Sequence, residues 1–417
     1  MKKKMIMYLL VIAMLFATAC GATSTGDSTS TPAGAGDGIS ANADSDVFVI
    51  GTYLALTGNN SITGNDGKKS VDLGVEYINE NGGMNGKQIV VEHFDTACST
   101  EEAVKIVQKL IASEKYDAII GSTNSNEMSA TINYLNEAQI YSFGLGTSAA
   151  WMENAAEITW TYRASINNNR AAPMSAKMLK KLNYDNVAII SGTDDTGSTT
   201  ADAFEIACAE EGITVLTRQQ CDSDDTDFSG QIAQILATDP DVIYMSLFGA
   251  TFGPFTKQLR NMGYKGMIAC KESFSNDYQV VAGEENSNYI FYAFPYVPYV
   301  SIDDCDIPIM REYLERYQAA YNELPSTDSG YRGWDTLMVM WEASKIAGSN
   351  DKHALREATE EVKIDGLGGP IDYSNGDHEG YAVFNEFMLI GGKNYIFDDW
   401  LADGGYEEYL AATGRDR

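Results

Sequence analysis

The sequence predicts an α/β protein of two doubly wound, Rossmann-like lobes, and three observations predict it. Short apolar runs ending in Gly or Ser alternate with amphipathic helical patterns, and this rhythm runs through twice. The runs are nearly continuous in apolar residues rather than alternating, as parallel strands covered by helices on both faces should be. At 417 residues with 44% hydrophobic content, the chain is long for one domain, natural for two, and able to fill a sizeable core.

The first run, Val47-Phe48-Val49-Ile50-Gly51, reads as a buried strand. A helix is expected over 68–81, stopped by Gly82-Gly83. A strand at 88–93, a helix at 100–113 opened by Thr100-Glu101-Glu102, a strand at 118–121, a helix at 127–137 and a strand at 140–143 continue the first round. The second opens with a helix at 173–182, its Pro173 read as a first-turn residue. Strands at 186–191, 214–218, 242–245 and 267–269 then alternate with helices at 199–211, 228–238 and 255–262. From Ile307 the pattern turns to helices, 309–322 and 330–347, and the tail 371–397 is strand-like. In doubly wound sheets ligands bind beyond the carboxyl ends of the strands, which directs attention to the loops there.

Lys2, Lys3 and Lys4 precede an apolar stretch, 5–16, too short to span a membrane as a mature helix. Ala17-Thr18-Ala19-Cys20 has the small residues of a bacterial lipoprotein cleavage box. On that reading 1–19 is a signal peptide, Cys20 carries the lipid, and 20–46, rich in Gly, Ser, Thr, Ala and Asp, is a flexible tether. The rival is an ordinary secretory signal with an unrelated Cys. Both readings place the folded part outside the cytoplasm, the first as a lipid-anchored protein on the extracytoplasmic side of the cell membrane.

The formal net charge is −30, and −33 once residues 1–19, which hold three Lys and no acid, are removed. Such a surface repels phosphate backbones and anionic headgroups, which argues against a nucleic-acid partner. Of six Cys, five remain after Cys20, so at least one stays unpaired within the chain, and there is no CxxC.

Several strand-end loops carry small polar residues. Gly121-Ser122-Thr123-Asn124-Ser125 and Gly144-Leu145-Gly146-Thr147-Ser148 let a ligand approach the backbone, and amides at a helix start beside a Ser hydroxyl suit a carboxylate. Ordinary N-caps and turns explain them equally well. The loop 191–197, Ser246-Leu247-Phe248-Gly249 and Cys270-Lys271-Glu272-Ser273 play the corresponding part in the second round. There Phe248 is either a pocket wall or a loop anchor, and Glu272 either holds an ammonium or is a surface charge.

Catalytic signatures are poor. His93, His353 and His378 have no metal-ligand spacing, and no Ser lies in a G-x-S-x-G elbow. Gly64-Asn65-Asp66-Gly67-Lys68-Lys69-Ser70 has the wrong Gly spacing for a phosphate loop. Asp222, Asp224, Asp225 and Asp227 lack the Gly and terminal Glu of an EF-hand and read as a turn and cap. The expectation is no catalytic residue, no metal and no cofactor.

One ordered set of motifs is more specific. It comprises Thr57-Gly58, Ile78-Asn79-Glu80-Asn81-Gly82-Gly83-Met84-Asn85-Gly86-Lys87, Asp95-Thr96-Ala97-Cys98, Ile119-Ile120-Gly121, Asp227-Phe228-Ser229 and Pro240-Asp241-Val242-Ile243-Tyr244. With these the chain, from Val47 to its C-terminus, resembles the substrate-binding lipoproteins of ABC transporters of the leucine/isoleucine/valine-binding type. The resemblance implies a type I periplasmic-binding-protein fold, two α/β lobes joined by a three-strand hinge with a ligand cleft between them. Each lobe is completed by a distant segment, giving an N-terminal lobe of 47–165 plus 297–363 and a C-terminal lobe of 166–296 plus 364–417.

The resemblance also implies binding roles. Ser125 matches the Ser whose hydroxyl and amide hold a ligand carboxylate. Gly146 and Ser148, flanking Thr147, match the carbonyl and hydroxyl that complete the cradle, and Glu272 matches the acid that pairs with the α-ammonium. Three positions depart from the pattern: Thr63 replaces an aromatic residue, Thr196 a frequent Tyr, and Phe248 a Tyr, which leaves the side-chain pocket different from that of a branched-chain binder. Asn124 stands where some relatives have a Cys paired with the position of Cys98, so that disulfide is absent.

The function implied is a lipid-anchored receptor, monomeric and not an enzyme, that delivers an aliphatic amino acid or close analogue to an ABC permease. The rivals are a sensing lobe for a chemotaxis or signalling receptor, a binder of a short amide, urea or carboxylate, and an extracellular hydrolase using paired carboxylates.

Overall fold

The computed structural model describes residues 46–152, 157–296, 299, 301–305, 307–376, 378–381 and 384–415. The signal peptide, Cys20 and all of the tether but Asp46 lie outside them.

The first round of strands forms one sheet. Its elements are β1 (Val47–Leu54), α1 (Ser61–Glu80), β2 (Gln88–Asp95), α2 (Thr100–Ser113), β3 (Ala118–Ile120), α3 (Ser125–Glu137), β4 (Ser142–Gly144) and β5 (Thr161–Arg163). The strand order is β2-β1-β3-β4-β5, with every pairing parallel. β1 is buried along nearly its whole length while the edge strand β2 is half-exposed, so the continuous apolar run marks the more central strand.

The second round contributes α4 (Asn168–Lys181), β6 (Asn186–Gly192), α5 (Asp195–Glu210), β7 (Thr214–Cys221), α6 (Ser229–Leu236), β8 (Val242–Ser246), α7 (Phe252–Asn261), β9 (Met267–Cys270), α8 (Asn276–Ala282) and β10 (Ile290–Phe294). After these come α9 (Pro308–Tyr321), α10 (Ser329–Ala347), α11 (Lys352–Thr359), β11 (Lys363–Gly366), β12 (Gly369–Asp372), β13 (Asn385–Ile390), β14 (Lys393–Ile396), α12 (Phe397–Ala402) and α13 (Gly405–Thr413). The second sheet has seven strands in the order β14-β13-β10-β9-β8-β6-β7, parallel except where β13 joins β10 and β14. β11 and β12 form a separate antiparallel pair. The fold is thus two doubly wound α/β layers, as the alternating pattern predicts.

The late helix α10 packs along α1, some 260 residues earlier in the chain. Glycines permit it. A Cβ on Gly333 would lie 2.7 Å from the Val71 amide nitrogen and 2.9 Å from the Gly67 carbonyl, and one on Gly74 would meet the Leu337 side chain at 2.9 Å. Polar bonds fix the register. Ser70 Oγ accepts from the Trp334 amide (2.8 Å), and buried Asp66 accepts from the Thr327 amide (2.7 Å), the Thr327 hydroxyl (3.0 Å) and the Tyr317 hydroxyl (3.2 Å).

Several helices begin earlier than the periodicity indicates. α1 starts at Ser61, α3 at Ser125, α4 at Asn168 and α5 at Asp195. Small polar residues read as loop are first turns, held by caps: Asn124 accepts from the Asn126 amide, Asn167 from the Asn169 amide and Asp194 from the Gly197 amide. Pro173 consequently lies inside α4 rather than in its first turn, a correction. Elements of three to nine residues, including β5, α8, β11 and α13, were missed because so short a run carries little periodicity. The five cysteines Cys98, Cys208, Cys221, Cys270 and Cys305 are free, and Asn124 Nδ2 donates to Cys98 Sγ at 3.3 Å.

Burial raises several core carboxyls, Asp66 and Asp335 to about 6 and Glu127 to about 7. Unfolded, such groups titrate at about 4. In the window between these values the folded chain binds more protons, so their contribution to stability is full below the unfolded pKa and is lost as pH rises through 6 to 7. Thermal unfolding followed by scanning fluorimetry should therefore give a midpoint several degrees higher at pH 5 than at pH 8, with a shallower dependence in Glu127→Gln. A midpoint that rises toward pH 8 contradicts this account.

Candidate functional site

Loops after strands of both sheets, together with the starts of α1 and α10, enclose a small cavity. It is lined by Asn60, Thr63, Thr123, Thr147, Thr196, Phe248, Gly249, Lys271, Glu272, Tyr278, Asp328 and Arg332. Its volume is about 30 Å³, about one water's share of space, so anything as large as an amino acid needs the two layers to part. A larger groove of about 720 Å³, lined by residues such as Tyr299, Arg311 and Gln318, lies away from these strand ends. The smaller cavity is the better candidate, since it sits beyond the carboxyl ends of strands and gathers buried charge.

Five of the eight residues singled out from the sequence line it: Thr63, Thr147, Thr196, Phe248 and Glu272. Ser125, Gly146 and Ser148 are buried close by but are not among the lining residues. Ser125 Oγ accepts from the Ser148 amide (3.1 Å) and bonds Thr196 Oγ1 (2.9 Å). The Gly146 carbonyl accepts from Trp151 Nε1 and Ser165 Oγ, both at 3.2 Å. Ser148 Oγ accepts from the Ala150 amide (3.1 Å) and faces the Asp195 carbonyl at 3.2 Å. The loop is pinned from behind by the fully buried Arg163, whose guanidinium donates to the carbonyls of Thr147 and Ser148 and lies over the Trp151 ring.

Contacts across the cleft converge on the starts of α3 and α5. Asn126 Oδ1 accepts from the Asp195 amide (3.0 Å), Ser129 Oγ donates to Asp195 Oδ2 (2.5 Å), and Ser125 meets Thr196 as above. At the other side Asn59 Nδ2 donates to Ser223 Oγ at 3.3 Å. The first turns of the two layers are thus latched to each other through the groups nearest the cavity.

Four charges face the cavity. Arg332 donates through Nε to Asp328 Oδ2 (2.8 Å), again through Nη2 to the same oxygen, and through Nη1 to the Leu145 carbonyl (2.9 Å). Burial pushes the Asp328 carboxyl up and the adjoining Arg332 guanidinium pulls it back, leaving it raised. Lys271 and Glu272 form the looser pair, Nζ to Oε2 at 3.4 Å, and Glu272 Oε1 also accepts from the Tyr278 hydroxyl at 3.1 Å.

Sequence reasoning passed over Asn60, Lys271, Tyr278, Asp328 and Arg332. The signal for the last two was a charged i, i+4 pair at the start of the otherwise mostly apolar helix 329–347; for Lys271 it was adjacency to Glu272.

The sequence profile of the family described as "Periplasmic binding protein" matches residues 48–385. The "Leu/Ile/Val-binding protein homolog 3" of Brucella melitensis is 24% identical over 352 residues, covering 82% of this chain and 92% of that protein. Among solved structures, the branched-chain substrate-binding protein LivJ of Streptococcus pneumoniae in complex with isoleucine superposes with a TM-score of 0.73 at 20% identity, covering 84% of this chain and 97% of that one. A solute-binding protein of Rhodopseudomonas palustris in complex with benzoate gives 0.76 at 20% identity, covering 84% and 95%. At these identities the structural likenesses establish the shared two-lobed fold.

Asp328→Ala should cost about 3–5 kcal/mol in urea unfolding, because it leaves the Arg332 charge buried and uncompensated. Replacing both partners, as Asp328→Leu with Arg332→Met, should recover most of that loss. Equal instability of the single and double variants would remove the ion-pair explanation.

Proposed function

The chain belongs to the periplasmic binding protein family, and from that premise we propose that it is an extracytoplasmic receptor that captures an amino acid or close analogue between its lobes and delivers it to an ABC permease. The observation that carries the reading is Glu272, whose carboxylate lines the interlobe cavity at only 12% side-chain exposure. A carboxylate so nearly desolvated, at the place where the lobes meet, is suited to an α-ammonium. Relatives named for Leu/Ile/Val binding and a structural neighbour holding isoleucine support the amino-acid class.

The two lobes of the proposal are 47–165 with 297–363 and 166–296 with 364–417. Thr196 and Asp195 occupy the hydroxyls of Ser125 and Ser148 with the lobes together. Parting the lobes frees those hydroxyls, with the amides at the start of α3, for a ligand carboxylate. The ligand then takes over as the bridge, with Glu272 approaching its ammonium from the second lobe and Thr63, Thr147 and Phe248 bounding its side chain. Closure follows because bound ligand touches both lobes only in the closed arrangement. The protein acts as a monomer anchored through a lipid on Cys20, and it returns its ligand chemically unchanged.

A thermal-shift screen of the purified protein against the amino acids, their amides, urea and short carboxylates should show stabilisation by one or a few amino acids, about 2.7 kcal/mol at a hundredfold excess over Kd. Glu272→Ala should weaken that ligand by about 2 kcal/mol or more in titration calorimetry. Unchanged affinity in the variant removes Glu272 from the ammonium role, and a response to amides, urea or carboxylates alone removes the amino-acid class while leaving solute capture in place.

A further inference from the structure

Lys271 is the least satisfied charge in the cavity. Its side chain is 1% exposed, its paired carboxylate is Glu272 at 3.4 Å, and its ammonium lies 6.0 Å from the centre of the Phe252 ring. Arg332, the other cation, is committed to Asp328 and the Leu145 carbonyl. An ammonium has three donors, and one long contact leaves most of them without a strong acceptor in a place that water scarcely reaches. A second unsatisfied group lines the same cavity: Thr123 Oγ1 is buried and has no hydrogen-bond partner.

Pairing of individual charges then limits the ligand. Around the cavity Lys271 and Arg332 face Glu272 and Asp328. If the ligand ammonium takes Glu272, as in the proposed function, Lys271 shares the carboxylate it is paired with. A zwitterion with a neutral side chain places its one carboxylate at Ser125 and Ser148 and gives Lys271 no anion of its own. A ligand with one further carboxylate gives Lys271 and Thr123 Oγ1 an acceptor. Two buried cations, each needing an anion, are retained only where the geometry supplies one.

We infer that the ligand is an amino acid bearing a second carboxylate, of the aspartate or glutamate class, whose side-chain carboxylate is held by Lys271 with help from Thr123. The inference rests on the proposed function, since it takes the α-ammonium to lie on Glu272. It departs from the aliphatic side chain implied by the resemblance. Thr63 and Thr196, in place of aromatic residues, suit the more polar side chain.

Titration calorimetry of the purified protein with L-glutamate, L-aspartate, L-glutamine, L-leucine and benzoate tests it. One of the two acidic amino acids should bind at least about 30-fold more tightly than glutamine. Lys271→Met should erase that preference, the acidic amino acid losing far more affinity than glutamine, with circular dichroism verifying the fold. Should the variant not fold, the wild-type ranking decides alone. Leucine or glutamine binding as tightly as the acids overturns the acidic class but leaves an amino-acid receptor. Benzoate binding without any of the four amino acids overturns the acidic class and favours an aromatic carboxylate, and no binding by any of the five overturns the acidic class while the wider amino-acid screen decides the receptor reading.

Discussion

The close approach of α1 and α10 is the constraint on which the rest depends. Gly74 and Gly333 let the two helices come together, and Ser70 and Asp66 hold the register with Trp334 and Thr327. Because the helices are locked along their length, the start of α10 is held beside the start of α1. That puts Asp328 and Arg332 next to Asn60 and Thr63 at one end of the first sheet. A side chain on Gly74 or Gly333 would push α10 outward and carry a buried ion pair away from the Leu145 carbonyl it is anchored to. The site therefore inherits its geometry from a packing contact that contains no binding residue.

The same logic explains why the cleft is a meeting of helix starts. α1, α3, α5 and α10 all present first turns to it, and their free amides favour negative charge. With the lobes together, hydroxyls and side-chain amides satisfy part of that demand: Thr196 meets Ser125, and Asn126 takes the Asp195 amide. These are neutral contacts of modest net worth, about 0.5–1.5 kcal/mol each. On the proposed function, a charged ligand group replacing them makes stronger bonds, so the latch sets a threshold that a well-matched ligand exceeds and water does not.

How much of this was legible in the sequence varies with the range of the interaction responsible. α2 was read end to end because its cap Ser99, the acids Glu101 and Glu102, and its apolar stripe are all local. The strand-end loops were legible as candidate ligand loops through the topology of doubly wound sheets, although Ser125 and residues 195–197 prove to be helical first turns. That error is physical: Ser, Thr, Asn, Asp and Gly have low helix propensity, and only capping and the packing around Gly64 and Gly197 hold them in helices. The return of 308–347 onto the first layer carries no local signal and came only through family resemblance. Lys271 and Arg332 were missed for a related reason. A charge is read as surface by default, and its burial is decided by elements far away in the chain.

Charge at two length scales completes the argument. The chain carries a net charge of −30, yet the cavity holds two buried cations. At physiological ionic strength surface charges are screened beyond about 8 Å, so the acidic exterior opposes an approaching anion only weakly. Inside the cavity screening is slight, and the unsatisfied ammonium of Lys271 acts at full strength over a few ångströms. On the proposed function, selection among ligands is therefore made after the lobes begin to close, when water leaves and every unmatched charge becomes costly. On the same proposal, an open cleft admits solutes of either sign, while the closed state favours one whose groups pair with those of the cavity. That reading places specificity in the closing step.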